Sequence, residues 1–299
     1  MSYLVEGQTV SKRTTFLSLL CVVGLWSAAQ PAIAQALVPR VVQLDAEKLE
    51  QQGLGLAQEA AQLAQFQQVE LALPRAQLAT QLAPGNAQIW SLLGSLYLQQ
   101  ERWDDGISAL QRARSLDSQN EAILFALGSA YFRKEDYNRS IQYLQAGLRV
   151  NGEVPGALFD LGNAYYMLEQ YDQAIAEYSK AVDIEATFWP AVNNIGLALY
   201  EKGDVDGAVR QWQNAVSIDN SQPEPQLAMA VALYARGDTE QALLLGETAL
   251  RLDNRYADIE FLRQNLWGDR LLGQAQTFLQ LPRIQDTLAQ INSTPRGDN

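Results

Sequence analysis

The chain has 299 residues, 47% of them apolar, and carries 22 Lys and Arg against 34 Asp and Glu, for a formal charge of −12. It contains no histidine and a single cysteine, Cys21. That inventory excludes histidine as general base, metal ligand or haem ligand, Ser-His and Cys-His nucleophiles, cysteine-ligated iron–sulfur clusters and an intrachain disulfide. The acidic balance is unsuited to nucleic-acid backbones and to adsorption on anionic lipid by charge alone.

Lys12 and Arg13 precede an apolar run, Thr14 to Trp26, which ends near Gln30-Pro31 and is followed by Ala32-Ile33-Ala34 and Ala34-Gln35-Ala36. A basic flank, a short apolar stretch and a small-residue site read as an export signal over residues 1–36, cleaved after residue 34 or 36. The run falls short of the roughly 20 apolar residues that a membrane helix needs. The alternative is an uncleaved signal anchor. Gln30 and Gln35 interrupt the apolar character only weakly, so residues 14–38 would cross a bilayer with some tilt. Leu20 is too large to precede a lipoprotein cysteine, so Cys21 reads as part of the signal's apolar core. In both readings Lys12 and Arg13 stay inside and the rest of the chain is expected outside the cytoplasm. Residues 37–52 read as a linker and the start of the first helix.

From residue 53 onward the sequence repeats. Leu127-Gly128-Ser129-Ala130-Tyr131 matches Leu161-Gly162-Asn163-Ala164-Tyr165 at a 34-residue interval, and Leu93-Gly94-Ser95-Leu96-Tyr97 and Ile195-Gly196-Leu197-Ala198-Leu199 extend the series. Met229-Ala230-Val231-Ala232-Leu233 follows, with Ala in place of Gly. Small residues recur at Ala72, Gly106, Ser140, Ala174, Ala208 and Ala242, and again at Ala79, Ala113, Gly147, Ala181, Ala215 and Ala249. A bulky series, Leu110, Leu144, Tyr178 and Trp212, falls between them. Turns such as Gly203-Asp204 and Gly237-Asp238 divide each unit into two helices. Acidic residues such as Asp104, Asp105 and Asp172 suit the positive end of the second helix.

These positions resemble the tetratricopeptide repeat family. The resemblance covers residues 53–256 as six units: 53–86, 87–120, 121–154, 155–188, 189–222 and 223–256. The second unit carries Trp90, Leu93, Gly94, Tyr97, Gly106 and Ala113, and the fourth carries Leu161, Gly162, Tyr165, Ala174, Tyr178 and Ala181. The first is degenerate, with Ala60 for the glycine and Leu63 for the tyrosine. It keeps Ala72, Ala79 and Pro84, and Pro74 inside its second helix predicts a kink or a shifted helix start. The resemblance implies an all-α, right-handed superhelical solenoid of helix pairs, in which no unit buries its apolar face alone and neighbours must stack.

Residues 257–292 read as capping helices. Ala257 to Leu266 keeps the helical phase and Trp267-Gly268 breaks it. Leu271 to Leu279 and Ile284 to Ile291 form two amphipathic segments, split by Pro282, expected to cover the last repeat's apolar edge. Residues 293–299 read as a polar, disordered tail.

The resemblance also implies that the first helix of each pair lines a concave groove. Six aromatics fall at the groove-facing positions: Phe125, Phe132, Phe159, Tyr166, Tyr200 and Tyr234. An exposed aromatic stripe is what a protein-binding groove needs; the alternative is that these rings pack between adjacent helices. Asn163 and Asn194 could grip an extended backbone, since an amide both donates and accepts, or could be polar residues between helices. The cations of a carboxylate clamp are missing: Phe159 stands where the first Lys is expected, and Glu224 and Ala228 occupy further groove positions. Gly53-Leu54-Gly55 is no phosphate loop, and Asp204-Val205-Asp206-Gly207 is too short for a calcium loop.

The expected function is therefore a non-enzymatic scaffold that binds a protein or peptide. No nucleic acid, small-molecule substrate, metal or cofactor is implied. The layout is similar to that of exported and thylakoid-associated tetratricopeptide proteins of cyanobacteria. That likeness implies a periplasmic or lumenal protein that assembles a membrane or photosynthetic complex. The alternative is a membrane-anchored adaptor that recruits an enzyme, for example of pigment synthesis.

Overall fold

The computed structural model describes residues 45–293, and every regular element among them is helical. Twelve helices run in antiparallel pairs: α1 Ala46–Gln65 with α2 Val69–Leu82, α3 Ala87–Gln99 with α4 Trp103–Leu116, α5 Glu121–Arg133 with α6 Tyr137–Val150, α7 Pro155–Met167 with α8 Tyr171–Ile184, α9 Trp189–Lys202 with α10 Val205–Ile218, and α11 Pro223–Arg236 with α12 Thr239–Leu252. From α3 to α11 the first helices begin one 34-residue step apart. A single turn of 3-10 helix, Asn254–Ala257, leads to α13 Ile259–Gln264, α14 Asp269–Leu279 and α15 Pro282–Ser293. The predicted signal, residues 1–36, the stretch 14–38 of the alternative anchor, and all but Ser293 of the predicted tail lie outside the described residues. Ser293 itself ends α15.

Local chemistry sets the helix starts. Asn86, Asn120, Asp136 and Asp204 accept from the backbone N–H groups of Ile89, Ile123, Arg139 and Gly207 at 3.1, 3.3, 3.0 and 2.9 Å. Each side chain satisfies a donor that the first turn leaves free. The turn inside each pair needs one left-handed residue. Gly203 and Gly237 fill it at φ 95° and 97°, whereas Gln67, Glu101, Glu135 and Glu169 hold it in the earlier pairs. Pro74 does not break α2, which runs through it from a start at Val69.

Each pair closes on a small-to-large contact. A Cβ placed on Gly94 or Gly128 would stand 2.6 Å from the Cγ of Leu110 or Leu144. On Gly162 it would stand 2.6 Å from Tyr178 Cδ1, and on Gly196 2.8 Å from Trp212 Cδ1. The glycines are the points of closest helix approach, and the four bulky partners facing them are wholly buried. They grow from Leu to Trp along the chain.

Neighbouring pairs are tied by recurring polar bonds. Gln77, Gln111 and Gln145 donate to the hydroxyls of Tyr97, Tyr131 and Tyr165 at 2.9, 3.0 and 2.8 Å, each linking a second helix to the next first helix. Lys134 pairs with Asp104, Lys202 with Asp172, and Arg236 with Asp206 at 2.8 Å. Exposed pairs of this kind contribute at most about 1 kcal/mol each. The Gln–Tyr series stops after Tyr165; beyond it the stack is held by one large apolar cluster that runs from Leu158 to Ile284.

The odd-numbered helices touch one another directly (α1 with α3, α3 with α5, α5 with α7, α9 with α11), so they form the inner face of the stack. The C-terminal helices do more than cover the last edge. α15 lies on α12, but α14 packs on α11 and reaches back to α9, inside the trough.

Candidate functional site

The C-terminal segment divides the inner face into an open half and a closed half. Trp267, just before α14, is buried and its indole N–H donates to Glu224 Oε1 of α11 at 3.2 Å. The Glu201 carboxylate of α9 accepts from the backbone N–H groups of Arg270 and Leu271 at 3.1 and 3.0 Å, and so caps α14 from a distance. Arg270 donates to the Tyr200 carbonyl at 3.1 Å and lies over the Tyr200 ring. As a result Ala191 to Ala198 and Glu224 to Leu233 are continuously buried. The inward positions of α3 and α5, such as Ser91, Ser95 and Ser129, keep partial exposure.

This corrects the expected aromatic stripe. Tyr166 is 5% exposed, beneath the Trp267-Gly268 turn, and Tyr200 is 2% exposed, beneath Arg270. Neither lies open in a groove, because the chain's own C-terminal segment occupies that part of it. Tyr234 packs edge-on to Phe278 of α14 at 5.7 Å. Phe125 fills the space above Gly147 of α6, between the helices of its own pair. Phe132 and Phe159 are half-buried and do line open space.

The two asparagines are corrected as well. The Tyr178 hydroxyl donates to Asn163 Oδ1 at 2.7 Å, and Asn194 Nδ2 donates to the same oxygen at 2.9 Å. Asn194 Oδ1 accepts in turn from Asn193 Nδ2 at 3.1 Å. Both asparagines are buried, and this network holds α7, α8 and α9 together. Their amides serve the stack rather than an extended backbone.

A cleft of about 240 Å³ remains where the open half meets the C-terminal segment. Phe132, Phe159, Trp189 and Leu266 form its walls, and Ser129, Asp160, Asn193 and Glu224 supply polar groups. The Ser129 hydroxyl donates to Asp160 Oδ2 at 2.9 Å. Burial pushes the Asp160 carboxyl up, against the opposing pull of that bond and of Arg133. Burial also pushes Glu224 up, to about 7, against hydrogen bonds from Trp267 and Asn193. Asn193 Oδ1 is buried and meets no donor among the described residues. Sequence reading did not single out Asp160 or Trp189. Asp160 holds the same place in its unit as Asn194 in the next, and a carboxylate at an inward position was the signal available.

Tandem helical hairpins with small residues at each crossing, stacked so that the first helices line an inner face, define a helical-repeat solenoid of the interaction-scaffold class. The tetratricopeptide repeat family matches residues 54–121 and 125–187, and its repeat matches again at 196–237; the chain belongs to that family. Its members are generally non-enzymatic scaffolds that bind peptide or protein partners. No curated protein matches the chain. Among solved structures, MamA is 25% identical with a TM-score of 0.53, over 57% of this chain and 93% of MamA. YrrB, described as a tetratricopeptide protein with an unusual peptide-binding site, is 19% identical with a TM-score of 0.53, over 64% of this chain and 95% of YrrB. PilF of Pseudomonas aeruginosa is 15% identical with a TM-score of 0.60, over 73% of this chain and 98% of PilF. The last two likenesses are of fold alone.

Proposed function

We propose that the chain is a non-enzymatic scaffold acting outside the cytoplasm, which holds an extended polypeptide along the inner face of α3, α5 and α7. The cleft is the observation that carries this reading. Its volume of about 240 Å³ is below the roughly 300–1,000 Å³ of ordinary small-molecule sites. It opens onto a trough rather than enclosing a ligand. Aromatic walls beside hydroxyl and amide groups suit a side chain of a bound segment, with the main chain running along the helices. The basic-flanked apolar segment ahead of the solenoid supports export, and with it a part in assembling a membrane or photosynthetic complex.

A photo-crosslinking residue tests the groove. Placed at Arg133, on the cleft rim, it is expected to capture a polypeptide in the native cell; placed at Gln142, on the exposed side of α6, it is not. Equal capture from both positions, or capture from Gln142 alone, defeats the reading. Intact mass of the protein from its native fraction tests the location. Loss of the first 34 or 36 residues supports a processed, exported scaffold, and retention supports the membrane-anchored adaptor. Among the described residues no helix is long and apolar enough to cross a membrane, and residues 14–38 are the segment proposed as the anchor.

A further inference from the structure

We propose that the cleft takes a basic side chain, an Arg or Lys of the bound polypeptide. This rests on the polypeptide reading above and adds the chemistry of the residue that anchors it.

Three acceptors from three helices line the cleft and lack a full complement of donors. Asn193 is 1% exposed; its amide donates to Asn194 and to Glu224, and its Oδ1 meets no donor among the described residues. A buried acceptor left in that state costs about 1–3 kcal/mol, so a native structure seldom tolerates one without a reason. Asp160 accepts from the Ser129 hydroxyl through Oδ2. Glu224 accepts from Trp267 through Oε1 and also from the Asn193 amide. A carboxylate has about four acceptor positions, so each keeps capacity. An incoming group that only donates would suit acceptors of this kind. A guanidinium or an ammonium donates and does not accept.

The remaining features agree. Burial pushes both carboxyls upward, so their charge is under-compensated within the cleft and a cation would relieve it. The walls formed by Phe132, Phe159 and Trp189 match the apolar stem of a long basic side chain, and aromatic faces attract its charged head. Arg133, on the rim, acts on Asp160 through space and is exposed. It is placed to be displaced by a better-seated cation. An acidic or neutral amide side chain would bring further acceptors to a site that already has too many.

The test uses the full chain and three fluorescent ten-residue Gly-Ser peptides that differ at one central position: Arg, citrulline or Glu. Citrulline keeps the shape of Arg and removes its charge. By fluorescence anisotropy the Arg peptide should bind about tenfold more tightly than either of the others. Asp160→Asn and Glu224→Gln should each remove most of that preference. Arg133→Ala, at an exposed site that does not threaten folding, should strengthen binding of the Arg peptide about threefold by removing the competing charge. Equal binding of the three peptides overturns the proposal. So does a preference that survives both carboxyl substitutions, because the general acidity of the chain would then explain it. No binding of the Arg peptide at millimolar concentration also overturns it. If the crosslinker at Arg133 captures a polypeptide while the peptide series shows no preference, the groove reading stands and the basic-anchor proposal alone falls.

Discussion

Phe278 of α14 stands directly over Gly246 of α12, where a Cβ on the glycine would come within 2.6 Å of Phe278 Cε1. Gly246 is the sixth-unit counterpart of Leu110, Leu144, Tyr178 and Trp212, the bulky residues that close the earlier pairs. In the last pair both crossing positions, Ala230 and Gly246, are small, and the capping helix supplies the missing bulk from outside the repeat. Phe278→Ala should therefore cost about 3–5 kcal/mol, as for other large core truncations. Gly246→Leu should cost about 1–3 kcal/mol by overpacking. Because the two residues share one space, their effects should not add. The double variant is expected to be more stable than Phe278→Ala alone, since a leucine would restore the arrangement of the second and third pairs. Chemical denaturation of the four proteins checks this, and strict additivity would mean that the space is not shared.

Glycines in the first helices separate packing from propensity. Gly128 faces Leu144 at the crossing of α5 and α6, so Gly128→Leu should cost about 1–3 kcal/mol. Gly55, on an exposed part of α1, has no heavy atom within 4 Å of an added Cβ. Gly55→Ala should stabilise by about 0.5–1 kcal/mol, because a helix-interior glycine loses more backbone entropy. Thermal melts of both variants read the contrast, and a harmless Gly128→Leu would be inconsistent with the crossing.

The crossing at Gly128 and Leu144 was legible in the sequence because periodicity reports contacts that recur at a fixed step. The fold class followed from the same signal. The fate of Tyr166 and Tyr200 was not legible. Their burial depends on Trp267 to Arg270, in a segment that belongs to no repeat; Arg270 lies 70 residues beyond the Tyr200 carbonyl it contacts. A non-repeating amphipathic segment announces that it must bury a face, but not which surface receives it. Asn163 and Asn194 illustrate a second limit. Inward position was readable, whereas the Tyr178 hydroxyl that consumes Asn163 Oδ1 comes from a neighbouring helix.

The left-handed turn positions give a prediction about backbone alone. Gly237 sits at φ 97°, with open space where an added Cβ would stand. Gly237→Ala should cost about 1–2 kcal/mol from backbone strain without any clash. Glu169 holds the equivalent place at φ 57°. Glu169→Gly should change stability by less, because relief of strain and added chain entropy oppose each other. Denaturant midpoints of the two variants check the difference. A larger effect at Glu169 would point to side-chain contacts at that turn.

The buried bond between Trp267 and Glu224 makes docking of the C-terminal segment sensitive to pH. Burial raises the Glu224 carboxyl to about 7, with opposing pulls from the hydrogen bonds of Trp267 and Asn193. In the unfolded chain the same group ionises in the ordinary glutamate range, near 4.5. The folded state thus binds the proton more tightly, and its contribution to stability is fully present below that range and is lost as pH rises through 7. Asp160 and Glu201 are also pushed up by burial and add slope of the same sign. With no histidine in the chain, nothing in the usual range of imidazole offsets them. The thermal midpoint is therefore expected to fall between pH 5 and pH 8. Glu224→Gln keeps an acceptor for the Trp267 indole and removes the ionisation. It should flatten the fall and leave the variant more stable than the parent at pH 8. An unchanged slope in the variant would show that Glu224 is not the group responsible.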